Sequence, residues 1–569
     1  MRLLVALALL SCGACGVSAQ PAPVADPADL IVHHAVVYTV DAAAPRAEAV
    51  AVRGDRIAYV GTDAGALALK GPATRLVDAG GRAVIPGLQD AHGHVLGLGE
   101  QLSELDLRGT TSFAAIAAKV AERARTTPAD GWIIGRGWDQ NDWADNAWPT
   151  RTALEAAAPG RRVWLTRIDG HAGLASSRAL DEAGLGAKTP DPDGGRIIRA
   201  GDGTPAGVLV DRAMGAVTRR IPAATDAELE AALLRADAEL QRLGLTTVHD
   251  AGIDERGAAA YRRLVERGQL RTRVYAMLRL PLDRLRPFFA KGPVVDLGDR
   301  LSIRAIKILA DGALGSRGAA LLEPYSDEPG TSGFLTTPEA DIHAMTRAAA
   351  EAGFQTCIHA IGDRANRVVL DTFERVEREV PAARGLRNRV EHAQILDAAD
   401  IPRFAALGVI ASMQPTHATS DMPWVPARLG AARTAEGAYV WQKLRHAGAR
   451  FASGSDFPVE EPNPLLGFYA AITRQSPAGE PAGGWMPDQR LSRDEALRSF
   501  TIDAAYAAHQ ESRSGSIEVG KLADLVVLSR DIMTVPPRDI PSTSVILTIA
   551  GGRVTHDTRP PDPAQRPSR

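Results

Sequence analysis

Apolar positions along the chain follow two rhythms. From Leu30 to about Val84, short β-type runs succeed one another between turns: LIVHHAVVYTV, AEAVAVRGDRIAYVG and TRLVDAGGRAVI. The far end repeats that style in SIEVGKLADLVVLS and SVILTIAGGRVTHD, with a Gly-Gly-Arg-Val echo of the earlier Gly-Gly-Arg-Ala-Val. Neither end has enough strands to bury a sheet face alone. The pattern therefore predicts one β-sandwich assembled from residues 28–82 and 506–557.

Between the ends, short apolar runs alternate with helical stretches such as DAELEAALLRADAELQRLG and TPEADIHAMTRAAAEAG. Such alternation argues for βα units around a parallel sheet. The strand-like runs are 83–92, 246–251, 272–278, 302–310, 355–360, 389–394, 408–414 and 450–456. They predict an α/β fold, a (β/α)8 TIM barrel over residues 83–505. About 140 residues separate the first run from the second, too many for a bare loop. An insert over about residues 100–240 must therefore fold by itself. It holds Trp132, Trp138, Trp143 and Trp148, half of the chain's 8 tryptophans. That density reads either as a hydrophobic plug or as the wall of a site for an apolar ligand.

A chain of 569 residues suits one large barrel with appended domains. Its 45% hydrophobic and 23% charged content is globular, and a net charge of −3 makes no electrostatic case for a nucleic-acid partner. The first residues, MRLLVALALLSCGACGVSA, combine Arg2, an apolar run from Leu3 to Leu10 and the small residues Val17-Ser18-Ala19, which predicts a signal peptide over residues 1–19. Two processing routes remain open: cleavage after Ala19, or lipoprotein processing at Cys12 after Leu9-Leu10-Ser11. Both predict export to the bacterial periplasm, either free or lipid-anchored through Cys12. A Pro/Ala linker at 20–27 and a disordered tail at 558–569 bracket the folded part. No later stretch reaches the roughly 20 apolar residues of a transmembrane helix. Only Cys357 lies in the body of the chain, so no disulfide framework is available, and it reads as a small buried hydrophobe.

A barrel presents its chemistry at the C-terminal strand ends. His92 and His94 in DAHGH end the first run, and residues i and i+2 of a strand point the same way. Lys307 lies in IKILADG, His359 in IHAIGD, His392 in VEHAQ and Asp456 in GSDFP. A single one of these has an ordinary explanation, such as a helix cap for Asp456. Together, at the ends of parallel strands, they predict a metal centre.

The segments PGLQDAHGH, GRGWDQNDW, RIDGHAGLAS, VHDAG, IKILADGALGSRGAAL, IHAIGDRAN, RVEHAQ, ASGSDFPVEEPNP and GKLADLVVL, in this order, resemble the YtcJ-like branch of the amidohydrolase superfamily of metal-dependent hydrolases. The resemblance implies that His92, His94 and Asp456 hold a more buried metal, and His359 and His392 a second. Lys307 stands where many relatives carry a carboxylated lysine; a free ammonium is a poor ligand, whereas its carbamate is an anionic oxygen donor. One or two divalent ions are implied, zinc suiting the donors best, with manganese, iron and cobalt open. The implied reaction is hydrolysis of a non-peptide C–N bond in a small-molecule substrate by metal-activated water, with Asp456 moving the proton.

His171, Arg317 and Trp138 are the expected substrate contacts, and His249 and Asp250 the expected supports behind a metal ligand. Asp90 is expected to orient a ligand, and His417 and Asp421 to be loop contacts. A homodimer remains open. Two rival readings stand beside this one: an esterase, lactonase or deaminase on the same metal site, and a non-catalytic surface binding module, which a missing ligand would have signalled.

Overall fold

The structure is a computed structural model describing residues 26–140, 143–145, 147–168, 172–192 and 195–559. The expected signal peptide with Cys12, most of the linker, His171 and the end of the tail lie outside the described residues.

Eight parallel strands form the central sheet: β1 (Leu88–Gly93), β2 (Leu245–Ile253), β3 (Arg273–Leu278), β4 (Leu301–Leu309), β5 (Gln355–Ala360), β6 (Arg389–His392), β7 (Ile410–Met413) and β8 (Arg450–Ser453). Each pairs in parallel with the next. Helices cover the outside, so these strands are buried on both faces and rich in Val, Ile, Leu and Ala. The seam between β8 and β1 is closed by the chain just past β8. Asp456 N–H donates to the His92 carbonyl (2.7 Å) and His94 N–H to the Phe457 carbonyl (2.8 Å). Asp90 staples the same seam, its buried carboxylate accepting from Ser455 Oγ at 2.7 Å and from His92 N–H at 3.0 Å. The barrel therefore closes through the residues that carry its first and last candidate ligands.

The run 83–92, expected as one barrel strand, is two strands. Ala83–Pro86 joins a terminal sheet, parallel to Val36–Tyr38 and antiparallel to Leu525–Leu528, and the barrel starts only at Leu88. Pro86 has no N–H to continue a ladder. Gly87 turns where a Cβ would meet Thr246 Oγ1 at 2.3 Å and Asp524 Cβ at 2.8 Å. That six-stranded sheet contains strands from both ends of the chain. It packs on a four-stranded sheet of Ala28–His33, Ala49–Arg53, Arg56–Gly61 and Lys70–Asp78, with Val32, Val50 and Val77 sharing a core with Leu525, Val527 and Leu547. A buried Arg273–Asp524 ion pair (2.5 Å) ties this unit to the start of β3, the end of the barrel away from the candidate ligands.

The insert forms its own six-stranded sheet between Leu105 and Asp211, with its own core. Trp138 and Trp143 are buried there, their ring N–H groups donating to the carbonyls of Leu165 (2.8 Å) and Thr110 (3.1 Å). This packing favours the plug reading for Trp138, which is fully buried, whereas Trp143 with Phe113 and Trp148 still lines a cavity of about 350 Å³. Trp138, an expected substrate contact, thus lies in the core of the insert. Among the described residues, no helix is long and apolar enough to cross a membrane.

Candidate metal centre

The site is built on the C-terminal ends of β1, β4, β5 and β6 and the segment after β8. Gly93 separates His92 from His94 and lies against the buried Phe457 ring, which a Cβ would meet at 2.4 Å. His92 is fully buried; its Nδ1 lies 2.5 Å from Glu391 Oε2, which leaves Nε2 turned to the centre. That Nε2 meets Lys307 Nζ at 3.1 Å and Asp456 Oδ1 at 3.6 Å. His94 Nε2 lies 3.1 Å from the same Asp456 oxygen. His392 packs between His92 and His359, with ring centroids at 4.7 Å and 4.6 Å, and its Nδ1 donates to Gln414 Oε1 at 2.7 Å. His359 Nε2 lies 3.4 Å from Asp311 Oδ1. In parallel register, Lys307 stands beside Cys357, Leu309 beside His359 and Ala360 beside His392.

Two of these positions break the strand pattern. His392 and Asp456 have φ of 76° and 61°, left-handed values that non-glycine residues adopt at a cost and that cluster at functional sites. The turn at His392, continued by Ala393 at 44°, also ends β6 two residues before the expected boundary at 394. It lets adjacent Glu391 and His392 both serve the centre, which strict alternation would forbid.

The electrostatics favour coordination. Burial, reinforced by Lys307, pushes His92 down to about 4, and burial with neighbouring His359 holds His392 well below the usual histidine range. Both imidazoles are therefore neutral donors at ordinary pH. Burial alone would raise Asp456, but His94, His92, His392 and His417 hold it well below the carboxylate range, so it is ionised. Burial lowers Lys307 toward its uncharged amine.

The donor set fits a metal. Ligand atoms of His92, His392 and Asp456 lie within 4.8 Å of one another, and Asp456 Oδ1 is buried without a hydrogen-bond partner although two imidazole nitrogens face it. Lone pairs converging in this way repel unless a cation lies among them.

Behind His92 runs a chain of charged groups that the sequence reading left unassigned. Glu391, fully buried, contacts the Arg389 guanidinium at 2.8 Å. Arg389 in turn reaches His249 Nδ1 (3.0 Å), the Ala91 carbonyl (2.6 Å) and Ser412 Oγ (3.0 Å). Burial raises Glu391, but Arg389 and His92 hold it well below the carboxylate range. A charged Glu391 fixes the His92 tautomer and ring orientation, the support metal-bound histidines generally receive. The signal was present: Arg389 and Glu391 put two charges into a barrel strand whose four residues are all buried.

Other expected residues fall elsewhere. His249 faces the barrel interior and touches this chain through Arg389. Asp250, next to it, faces the opposite side and accepts from Tyr261 Oη at 2.6 Å, bonding to no candidate ligand. With His94, Leu229, Leu233 and Ile253 it lines a largely apolar cavity of about 480 Å³. Arg317 directs its guanidinium at Asp327 (3.0 Å) and Glu328 (3.1 Å) in the loop after β4. Asp90 acts on the His92 backbone and the seam rather than on a ligand ring. Cys357 is buried in a small apolar cluster with Tyr275 and Met277. Asp421 accepts from Tyr439 Oη. His417 comes within 3.7 Å of Asp456 Oδ2. Asp311, unnoticed in the sequence, receives the backbone N–H groups of Ala320, Ile361 and Gly362 and locks the loops after β4 and β5 beside His359.

An eight-stranded parallel barrel with histidines, a lysine and an ionised aspartate at its C-terminal strand ends defines a metal-dependent hydrolase of small molecules. Residues 75–556 match the model of the amidohydrolase family, and the chain belongs to that family. It is YtcJ-like: it is 33% identical over 533 residues to the putative amidohydrolase YtcJ of Bacillus subtilis (strain 168), covering 92% of this chain and 99% of that one. It is 30% identical over 552 residues to the N-substituted formamide deformylase of Arthrobacter pascens, covering 93% and 98%. Among solved structures it resembles an uncharacterized metal-dependent hydrolase from Pyrococcus furiosus, with a TM-score of 0.74 at 28% identity, covering 89% of this chain and 100% of that one.

Proposed function

We propose that the protein hydrolyses the C–N bond of a non-peptide amide, with N-substituted formamides as the first class to test. The observation that carries this reading is the ionised Asp456 carboxylate, set beside the neutral imidazoles of His92 and His392 and left with a buried oxygen that makes no hydrogen bond. The similarity to a formamide deformylase supports the choice of bond.

His92, His94 and Asp456 would hold one divalent ion, and His359 and His392 a second. Zinc is the ion best matched to these donors. When bound, such an ion supplies Lewis acidity and brings water toward ionisation near neutral pH. Burial favours the uncharged amine of Lys307, the form that takes up carbon dioxide, and its carbamate would place an anionic oxygen beside His92 Nε2. Asp456 accepts the proton of the attacking water and returns it to the leaving nitrogen. The cavity beside His94 would take the substituent on that nitrogen; its size is within the range of small-molecule pockets. Export to the periplasm is part of the proposal and rests on residues 1–19 of the sequence alone.

The test is a substrate panel on zinc-loaded protein: N-alkyl and N-aryl formamides, simple carboxylic esters and aminated heterocycles. The reading expects turnover of the amides, lost on chelation and restored by zinc. Turnover confined to esters or to ring deamination would overturn the bond assignment.

A further inference from the structure

We propose that His417 is a catalytic residue of this centre, its Nε2–H hydrogen-bonding the carbonyl oxygen of the substrate and the negative charge that grows there as water adds. The proposal rests on the amide-hydrolase reading above.

β7 supplies none of the candidate ligands, yet the turn and short helix after it reach into the centre. Gln414 accepts from His392 Nδ1, and three residues later His417 lays its ring against His392, with centroids 5.9 Å apart and planes at 21°. His417 is buried, and its Nε2 is sealed from solvent with no hydrogen-bond partner among the described residues. The atom it faces, Asp456 Oδ2, is 3.7 Å away, beyond hydrogen-bond range but close enough for both groups to converge on one oxygen to their side. On its other edge, Gln394 Nε2 donates to His417 Nδ1 at 3.3 Å, which puts the ring proton on Nε2. The result is a fixed N–H donor beside the proton-transferring carboxylate. A buried donor left unmatched is costly, and is retained where its partner arrives from outside the chain.

The chemistry needs such a donor. As the water oxygen bonds to the carbonyl carbon, its proton passes to Asp456 and the carbonyl π pair moves onto the oxygen. His417 Nε2–H meets that charge without reorganising, the arrangement that stabilises acyl-transfer transition states most. Collapse then returns the pair to the C=O bond, breaks the C–N bond and sends the proton from Asp456 to the departing nitrogen. The products are a carboxylic acid and an amine.

The experiment compares wild type, His417→Leu and His417→Gln, all zinc-loaded. It uses N-phenylformamide and acetanilide as substrates and N-phenyl methylphosphonamidate as a tetrahedral mimic, with metal content read by mass spectrometry. Loss of one such donor lowers kcat by about 10²–10³. The proposal expects that loss in His417→Leu with KM changed less than about threefold and metal content unchanged, mimic binding weakened in parallel, and partial recovery in His417→Gln through its amide N–H. A fully active His417→Leu protein overturns the proposal while leaving the amide-hydrolase reading intact. So does metal loss that tracks the activity loss, since His417 would then merely support His392. A wild-type protein that hydrolyses neither amide overturns both.

Discussion

Replacing Glu391 by Gln should cost metal affinity more than its neutral, isosteric character suggests. Glu391 faces two donors at once, His92 Nδ1–H at 2.5 Å and the Arg389 guanidinium at 2.8 Å, with all three side chains fully buried. An amide has one acceptor oxygen for these two donors. A hydrogen bond to a charged partner is worth about 1.5–3 kcal/mol, against about 1 kcal/mol for a neutral one, so the Gln oxygen should turn to Arg389. Its NH2 then faces His92 Nδ1, the imidazole proton moves to Nε2, and the nitrogen that faces the centre loses its lone pair. Loss of such a supporting partner costs about 10- to 100-fold in metal affinity, or about 1.4–2.7 kcal/mol. Removing one member of a buried ion pair also destabilises the fold by about 3–5 kcal/mol. Zinc competition against a chromophoric chelator measures the first effect, and denaturant melts of the metal-free proteins the second. A folded Glu391→Gln protein binding zinc within about threefold of wild type would refute the tautomer argument.

Three further outcomes follow from particular contacts. Gly93→Ala puts a Cβ 2.4 Å from the buried Phe457 ring, so metal per chain measured on the folded variant should fall by at least about tenfold. Trp138→Ala should destabilise the insert by about 3–5 kcal/mol, read by limited proteolysis and melting, while KM on the folded enzyme stays unchanged. His509 is pushed down to about 4, first by burial and then by Arg304 and Arg387, so the fold favours its neutral form. Its contribution is complete above pH 6.5 and disappears as pH falls toward 4. The gap from 6.5 to about 4 corresponds to about 3 kcal/mol, reduced to about 1–2 kcal/mol because the ring is partly solvent-exposed. His509→Asn, which tolerates the φ of 59° there, should flatten denaturant stability across that window.

The candidate cluster was legible because barrel geometry turns a linear rule, polar residues at the ends of apolar runs, into a spatial one. His92, His94, Lys307, His359, His392 and Asp456 converge for that reason. What the sequence concealed depends on contacts across strands. The role of Glu391 needs Arg389 on one side and His92 on the other, and the orphan nitrogen of His417 becomes visible only when the turn after β7 is laid over Asp456. Periodicity located the tryptophan cluster but cannot say which way a ring faces; the burial of Trp138 and its N–H bond to the Leu165 carbonyl are visible only in the fold. The division of the run 83–92 was written in Pro86-Gly87, yet a run apolar on both sides of the break hides which sheet each half joins. Left-handed backbone at His392 and Asp456 has no sequence signature in residues other than glycine, and it is what aims these two side chains.

The central claim is that these side chains form a metal centre. Crystals of zinc-loaded protein, with anomalous differences recorded above and below the zinc edge, test it most directly. The account predicts a zinc peak among His92, His94, His392 and Asp456 that disappears in a folded Asp456→Asn, His392→Ala double variant. A well-ordered wild-type barrel with no anomalous density among these side chains at saturating zinc would contradict it.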